Sequence, residues 1–275
     1  WLKNCATAQC MRLRGVETSA VLTALWRLRE ASTSVESGLR PLVVDPWAQR
    51  VVGHFLTPER REKWLCASFA PAFTDVVAYR AAAVDALLAS TPPELGWVSL
   101  GCGFDGRWMH KAGQQRCIFV DLPRVVKARQ CLFKTEVIPA EPGADDMRSG
   151  PFSDMAADAA DAVAVLGDCP ARVWVAEGLL EYLPLRYLEA LLHGARGHLI
   201  VPMLVSGFPE VVGAVAGRPV TLGWAPLPSE REVLDLFSRY GWRIQAFWCQ
   251  ADLERLSPGR VPLADFLRVI LASKR

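Results

Sequence analysis

The feature that most constrains the fold of this chain is a glycine-spaced turn between two short apolar segments. The first segment, Trp97 to Leu100, runs into Gly101-Cys102-Gly103-Phe104-Asp105-Gly106-Arg107, and the second, Cys117 to Val120, ends at Asp121. Glycine suits such a turn because its backbone adopts torsions that side chains forbid and lets a ligand come close. Asp121 follows the first glycine by 20 residues, the spacing at which a second strand brings a carboxylate to the ribose hydroxyls of a nucleoside. The pattern therefore predicts a nucleoside-binding edge of a parallel sheet.

The turn alone leaves the identity of the nucleoside open. Gly101, Gly103 and Gly106 satisfy the spacing G-x-G-x-x-G, which is typical of NAD sites. The same geometry serves S-adenosylmethionine, and strand-to-helix turns of this kind also occur without any ligand in α/β proteins. Other residues must decide between these alternatives.

Composition excludes several classes of partner. With 31 basic and 29 acidic residues the net charge is +2, too small a field to favour nucleic acid. No segment approaches the roughly 20 apolar residues that span a bilayer, so we expect no membrane association and a cytoplasmic protein. Eight cysteines and four histidines are scattered without zinc-site spacing, which predicts reduced thiols and no metal site.

The order of apolar segments predicts one α/β domain of 275 residues. Residues 1–94 are typical of a helical N-terminal cap, with a helix opened by Asp45-Pro46 and another over 73–89. Residues 95–275 predict a Rossmann-like core with a mostly parallel seven-stranded sheet and a lid insert at about 202–228. The predicted strands lie at about 97–100, 117–120, 136–138, 172–176, 197–201, 242–249 and 261–272.

Acidic residues follow the first four predicted strands. These residues are Asp105, Asp121, the pair Asp145-Asp146, and Glu177. Ligands of open parallel sheets bind at the carboxyl ends of the strands. An NAD site needs only the first two acids, whereas S-adenosylmethionine offers a ribose, an adenine amino group and an ammonium to separate acceptors. Arg80 can supply the planar fork that a cofactor carboxylate prefers.

With these residues collected, the chain resembles the leucine carboxyl methyltransferase-like family of S-adenosylmethionine-dependent methyltransferases, which includes bacterial polyketide O-methyltransferases. The resemblance runs from about Thr18 to Pro184. It rests on Arg27-Leu28-Arg29-Glu30, Asp45-Pro46, Tyr79-Arg80, Leu100 to Arg107, Val120 to Pro123 with Lys127, Asp146-Met147-Arg148, and Ala176 to Pro184.

The resemblance implies S-adenosyl-L-methionine as the cofactor and a role for each site residue. Gly101 lines the cofactor, Asp121 holds the ribose hydroxyls, and Asp146 with Met147 flanks the adenine. Arg80 and Glu177 engage the amino-acid end. Gly103 and Asp105, in the same turn as Gly101, belong to the predicted cofactor site, and Arg27, Arg80 and Tyr182 are placed to receive a substrate carboxylate. The chain departs from the family at Phe119, where a glutamate is usual.

These observations favour an O-methyltransferase that forms a methyl ester on a small-molecule carboxylic acid, such as a polyketide or other natural product. A carboxylate is ionised at neutral pH and needs no general base, whereas a phenol would need one, for which His110 and His193 are candidates. Three alternatives stay open: a carboxyl methyltransferase acting on a protein C-terminus, an NAD-dependent reductase, and a non-catalytic binding module. The sequence also leaves the oligomeric state open, a homodimer included.

Overall fold

The computed structural model describes residues 16–67, 70–109, 117–133, 136–138, 152–166, 172–180, 183–204, 229–256 and 267–274. Its helices are α1 Val16–Glu36, α2 Ala48–Phe55, α3 Pro58–Leu65, α4 Ala70–Ala89, α5 Pro123–Phe133, α6 Ala159–Leu166, α7 Leu185–Gly194, α8 Glu230–Arg239 and α9 Gln250–Glu254. Its strands are β1 Gly96–Leu100, β2 Cys117–Asp121, β3 Glu136–Ile138, β4 Phe152–Ala156, β5 Arg172–Val175, β6 Gly197–Leu204, β7 Arg243–Trp248 and β8 Leu267–Lys274.

Within these residues the strands form one eight-stranded sheet in the order β3-β4-β2-β1-β5-β6-β8-β7. The pairs from β3 through β6 are parallel, and β8 runs antiparallel to both β6 and β7. The strand order reverses between β1 and β5: β2, β3 and β4 lie on one side of β1, and β5 and the later strands lie on its other side. Such a reversal opens a crevice at the carboxyl ends of the strands, and the predicted mostly parallel α/β fold is confirmed.

The sheet has one strand more than the sequence pattern predicts. Phe152–Ala156 forms β4, which pairs with β2 and separates it from β3. Ser153 and Asp154 interrupt the apolar character of this segment, which is why periodicity fails to detect it. Asp154 is nonetheless fully buried, because Arg129 on α5 forms an ion pair with it at 3.0 Å.

Three apolar clusters hold the layers together. On one face of the sheet, α6, α7 and α8 pack through residues such as Val163, Leu191 and Phe237. On the other face, α4 packs directly through Tyr79 and Val84. A third cluster joins α1, α2 and α5 above the glycine turn, so the helices of the N-terminal region cover the edge of the sheet where the crevice opens. None of the described helices is long and apolar enough to cross a membrane.

One predicted helix boundary is wrong. The sequence predicts that Asp45 caps a helix beginning at Pro46, but α2 begins at Ala48 with Trp47 before it. Asp45 instead accepts a hydrogen bond from the backbone N–H of Trp47 at 3.0 Å and from Arg27 Nε at 2.9 Å. One oxygen of Asp45 therefore fixes the backbone at Trp47, the residue before α2. The other oxygen joins α1 to this turn through Arg27. At the start of α8, Ser229 is the N-cap residue: its Oγ accepts a hydrogen bond from the Glu232 N–H at 3.3 Å and donates one to the Glu232 carboxylate at 2.7 Å.

Candidate active site

The glycine turn after β1 forms the floor of a cavity at the carboxyl ends of the strands. Gly101 and Gly103 have φ angles of +64° and +53°, which side chains rarely tolerate. A Cβ atom on Gly101 would lie 2.6 Å from Leu179 Cδ1, and one on Gly103 would lie 3.0 Å from the Cβ of Ala20 on α1. The turn is thus glycine because of both torsion and space. The space above it, counted together with the solvent at its open mouth, is about 1030 Å³.

Asp121, at the end of β2, is fixed by the backbone of the turn. Its Oδ2 accepts from the Gly103 N–H and its Oδ1 from the Leu122 N–H, both at 2.7 Å. Burial raises the pKa of Asp121, and the two backbone hydrogen bonds oppose that rise. A carboxylate has about four lone-pair positions, so each oxygen keeps a position with which to accept a ligand hydroxyl at the cavity wall.

Arg107 joins two buried acids that line the cavity. Its Nε and Nη2 donate to Asp105 at 2.7–3.1 Å, and Nη2 also donates to Glu177. Burial alone would raise the pKa of Asp105, but Arg107 and Arg27 hold it well below its usual range. The other oxygen of Glu177 lies 3.5 Å from Nε of Arg80. Glu177 is therefore held between two guanidinium groups.

Arg80 reaches this acid from α4 across a glycine. A Cβ atom on Gly178, whose φ is +66°, would lie 2.9 Å from Nη2 of Arg80. Both Arg80 and Glu177 border the cavity. Arg80 lies on α4 and Glu177 lies after β5, but the fold brings them into contact, as the prediction of a shared site requires.

Arg27 also borders the cavity, but its guanidinium is already engaged. Nε donates to Asp45 at 2.9 Å, Nη2 donates to the carbonyl of Phe104 at 3.4 Å, and Nη1 lies 3.9 Å from Asp105. These contacts hold the guanidinium in place at the cavity wall. In this geometry Arg27 joins α1 and the turn before α2 to the glycine turn.

Arg129 supports the glycine turn from α5. Its Nη1 donates to the carbonyl oxygens of Gly103 and Asp105 at 2.9 and 3.1 Å, while Nε donates to Asp154. The guanidinium lies over the ring of Phe119 at 4.3 Å. Arg129 therefore lies between the aromatic face of Phe119, the position at which the sequence departs from the family pattern, and the carboxylate of Asp154.

The remaining predicted residues divide into two groups. Asp146, Met147, Tyr182 and His110 lie outside the described residues, as does most of the 202–228 insert. His193 is described, and it lies exposed in the last turn of α7 beside Tyr240 rather than at the cavity. Asp158 borders the cavity after β4 together with Ala157 and Ala159 and is not predicted from the sequence. Recognising β4 as a strand would have pointed to it, because it follows the carboxyl end of that strand.

Comparisons with known proteins agree with this architecture. A family model described as leucine carboxyl methyltransferase matches residues 20–195. The comparison with curated proteins finds no match. A putative methyltransferase from Thermobifida fusca YX has a similar structure, with 14% identity and a TM-score of 0.53 over 85% of this chain and 95% of that chain.

Two further solved structures are similar. Magnesium protoporphyrin IX methyltransferase (ChlM) from Synechocystis PCC 6803, solved with bound SAH, has 15% identity and a TM-score of 0.50 over 74% of this chain and 87% of that chain. The CMeT domain of the citrinin polyketide synthase has 14% identity and a TM-score of 0.50 over 80% of this chain and 58% of that domain. At these identities the similarity shows the fold, whereas the family match covers well over half of the sequence. The chain belongs to the leucine carboxyl methyltransferase family.

Proposed function

We propose that this protein is an S-adenosylmethionine-dependent O-methyltransferase that forms a methyl ester on the carboxylate of a small molecule. Membership of a methyltransferase family supports the cofactor and removes the basis for the NAD-dependent reductase that the glycine spacing allowed. When bound, S-adenosylmethionine supplies an electrophilic methyl group on a sulfonium. The residues of the chain then have to bind both ends of the cofactor, orient the acceptor and exclude water.

The described cavity residues fit such a cofactor. Asp121 accepts the ribose hydroxyls with the lone-pair positions that its backbone partners leave open. Gly101 lies on the cavity wall without a side chain, so the cofactor can approach the backbone of the turn there. Arg80 offers a guanidinium to the amino-acid carboxylate and Glu177 offers an acceptor to the ammonium, since the two border the cavity side by side.

The observation that supports a carboxylate as the methyl acceptor is the set of residues on the cavity wall. Among the described residues that line the cavity there is no histidine, lysine or tyrosine, and the thiol of Cys102 has its pKa raised well above the usual value by burial. Arg107 and Arg27 hold the pKa of Asp105 well below its usual range, which makes it a poor base, and Glu177 is bound by Arg107 and lies 3.5 Å from Arg80. An acceptor that is already ionised at neutral pH needs no base, and positioning then provides the rate. Arg27 and Tyr182 remain proposed as substrate-positioning residues.

A second candidate acceptor is the C-terminal carboxylate of a protein. The family description, which names leucine carboxyl methylation, favours it, and the chemistry of transfer is the same. Small-molecule and protein acceptors differ in the size of the opening they need, and residues 205–228, the greater part of the predicted lid insert, lie outside the described residues.

The test is methyl transfer from S-adenosylmethionine carrying a labelled methyl group to three acceptor sets: small carboxylic acids, phenols, and peptides ending in leucine. We expect label in the small acids, release of that label as methanol by mild alkali, and a rate that is flat from about pH 6.5 to 8.5. Labelling confined to the peptides would contradict a small-molecule substrate and would favour methylation of a protein C-terminus. An alkali-stable product, formed at a rate that rises with an apparent pKa near 7, would contradict it by placing the methyl group on a hydroxyl with a base.

A further inference from the structure

Two carboxylates from different parts of the chain meet at the amino-acid end of the cavity. Asp105 belongs to the turn after β1, and Glu177 directly follows β5 and Ala176. β1 and β5 are adjacent parallel strands, so their carboxyl ends bring the two acids together. Both side chains are less than one tenth exposed. Two ionised carboxylates in such a place repel each other, and one of them would take up a proton unless a cation compensates the charge.

Arg107 supplies that cation from a position beside the cavity rather than on its lining. The residue is 1% exposed and is absent from the cavity wall, yet it contacts Asp105 and Glu177, which are on the wall. Asp105 is bound by Nε and Nη2, and Glu177 by Nη2. A planar fork is needed for this, because a lysine ammonium is a single point that cannot match two carboxylates in fixed directions.

The guanidinium is itself held from behind. Asp85 on α4 lies 3.4 Å from Nη1 of Arg107 and accepts a hydrogen bond from Trp108 Nε1 at 2.7 Å. The Trp108 ring lies 4.6 Å from the guanidinium carbon and packs edge-on against Trp97 of β1. Three acids around it raise the pKa of Arg107 well above its usual value although burial alone would lower it. Arg107 is thus a permanent, fixed charge.

We infer that Arg107 is a positioning residue for the amino-acid end of the cofactor: it holds the carboxylates of Asp105 and Glu177 in fixed directions, so that Glu177 can accept the ammonium while Arg80 takes the carboxylate. The inference rests on the proposed binding of S-adenosylmethionine in this cavity. It assigns Arg107 no contact with the adenosine, which Asp121 and the residues after β4 border.

The experiment compares two ligands that differ only at that end. S-adenosylhomocysteine carries the amino-acid group, and 5′-methylthioadenosine lacks it. Both are titrated calorimetrically against the wild type, Arg107→Lys and Arg129→Lys. Arg129 is the matched control, since it is equally buried but supports the backbone of the turn, on which both ligands depend.

We expect Arg107→Lys to weaken S-adenosylhomocysteine binding roughly tenfold, about the effect of one charge-assisted hydrogen bond, and to change 5′-methylthioadenosine binding by less than about threefold. Arg129→Lys should weaken both ligands by the same factor. Asp85→Asn, which keeps an acceptor for Trp108 and lies away from the cavity wall, should give a smaller loss confined to S-adenosylhomocysteine, and it serves as the test if Arg107→Lys does not fold.

The outcomes separate the inference from the proposed function. Equal losses for both ligands in folded Arg107→Lys, or no loss for either, would overturn the positioning role while leaving the cofactor assignment intact. Failure of the wild type to bind S-adenosylhomocysteine at all would overturn the proposed cofactor and this inference with it.

Discussion

Arg107, at the end of the glycine turn, and Arg129, on α5, both bind Asp105, but they bind different parts of it. Arg107 binds the carboxylate of Asp105 and joins it to Glu177 and Asp85. Arg129 binds the carbonyl oxygens of Asp105 and Gly103 and pairs with Asp154. Arg107 orients the carboxylates that line the cavity, whereas Arg129 binds the backbone of the turn. Both arginines are buried and contact the same turn, but Arg107 contributes to ligand binding and Arg129 contributes to folding.

The largest expected effect is on stability, on the Arg129 side. Arg129→Met leaves Asp154 buried without its cation, which should lower the free energy of unfolding by about 3–5 kcal/mol. Chemical denaturation measures the change. The double variant Arg129→Met/Asp154→Leu should recover most of it, because both charges are then removed together. A single variant as stable as the wild type would show that this ion pair does not support the turn.

The next effect is on cofactor affinity at the ribose. Asp121→Ala should cost about 2–4 kcal/mol of S-adenosylhomocysteine binding, because both expected hydrogen bonds go to a charged acceptor. Calorimetric titration measures it, and Asp161→Ala, an exposed acid on α6, is the control. An unchanged dissociation constant in a folded variant would mean that the ribose lies elsewhere.

Acidity provides a milder perturbation of the same carboxylate. Burial raises the pKa of Asp121 above its ordinary value, and the ionised form is the better acceptor for hydroxyls. Affinity for S-adenosylhomocysteine should therefore be constant at neutral pH and fall as the pH is lowered through the raised pKa towards about pH 4. Asp121→Asn should remove this dependence. If the wild type and this variant show the same pH profile, another group is responsible.

A smaller effect than that of Asp121→Ala is expected at the other end of the cofactor. Arg80→Lys should weaken S-adenosylhomocysteine binding nearly as much as Arg80→Ala, by about 1.5–3 kcal/mol, since a point charge does not replace a planar fork. Arg186→Lys, on the exposed face of α7, is the matched control. Near-normal affinity in Arg80→Lys would indicate that charge alone is required there.

The sequence predicted the parts of the site that depend on local spacing. The glycine turn and Asp121 follow from strand, turn and strand within some 25 residues, because strand geometry relates their separation to their position. Glu177 is predictable because it comes almost directly after a buried strand. The family prediction is confirmed by the match over residues 20–195.

The parts that escaped prediction depend on pairings distant in sequence. β4 carries Ser153 and Asp154 on a buried strand, which is tolerable only because Arg129, 25 residues earlier, pairs with the acid. Arg107 stands within the quoted turn motif, but its partner Glu177 is 70 residues away, so the sequence could not show which acid it holds. The sequence also could not show that Arg27, which lines the cavity, is bound by Asp45, 18 residues later in the chain.

The central claim is that this cavity binds S-adenosylmethionine through acids at successive strand ends. Its most direct test is calorimetric titration of the wild type with S-adenosylhomocysteine and, separately, with NADH. The account predicts saturable S-adenosylhomocysteine binding with a dissociation constant on the order of micromolar, about −8 kcal/mol, and no detectable heat with NADH. Micromolar binding of NADH without binding of S-adenosylhomocysteine would contradict it.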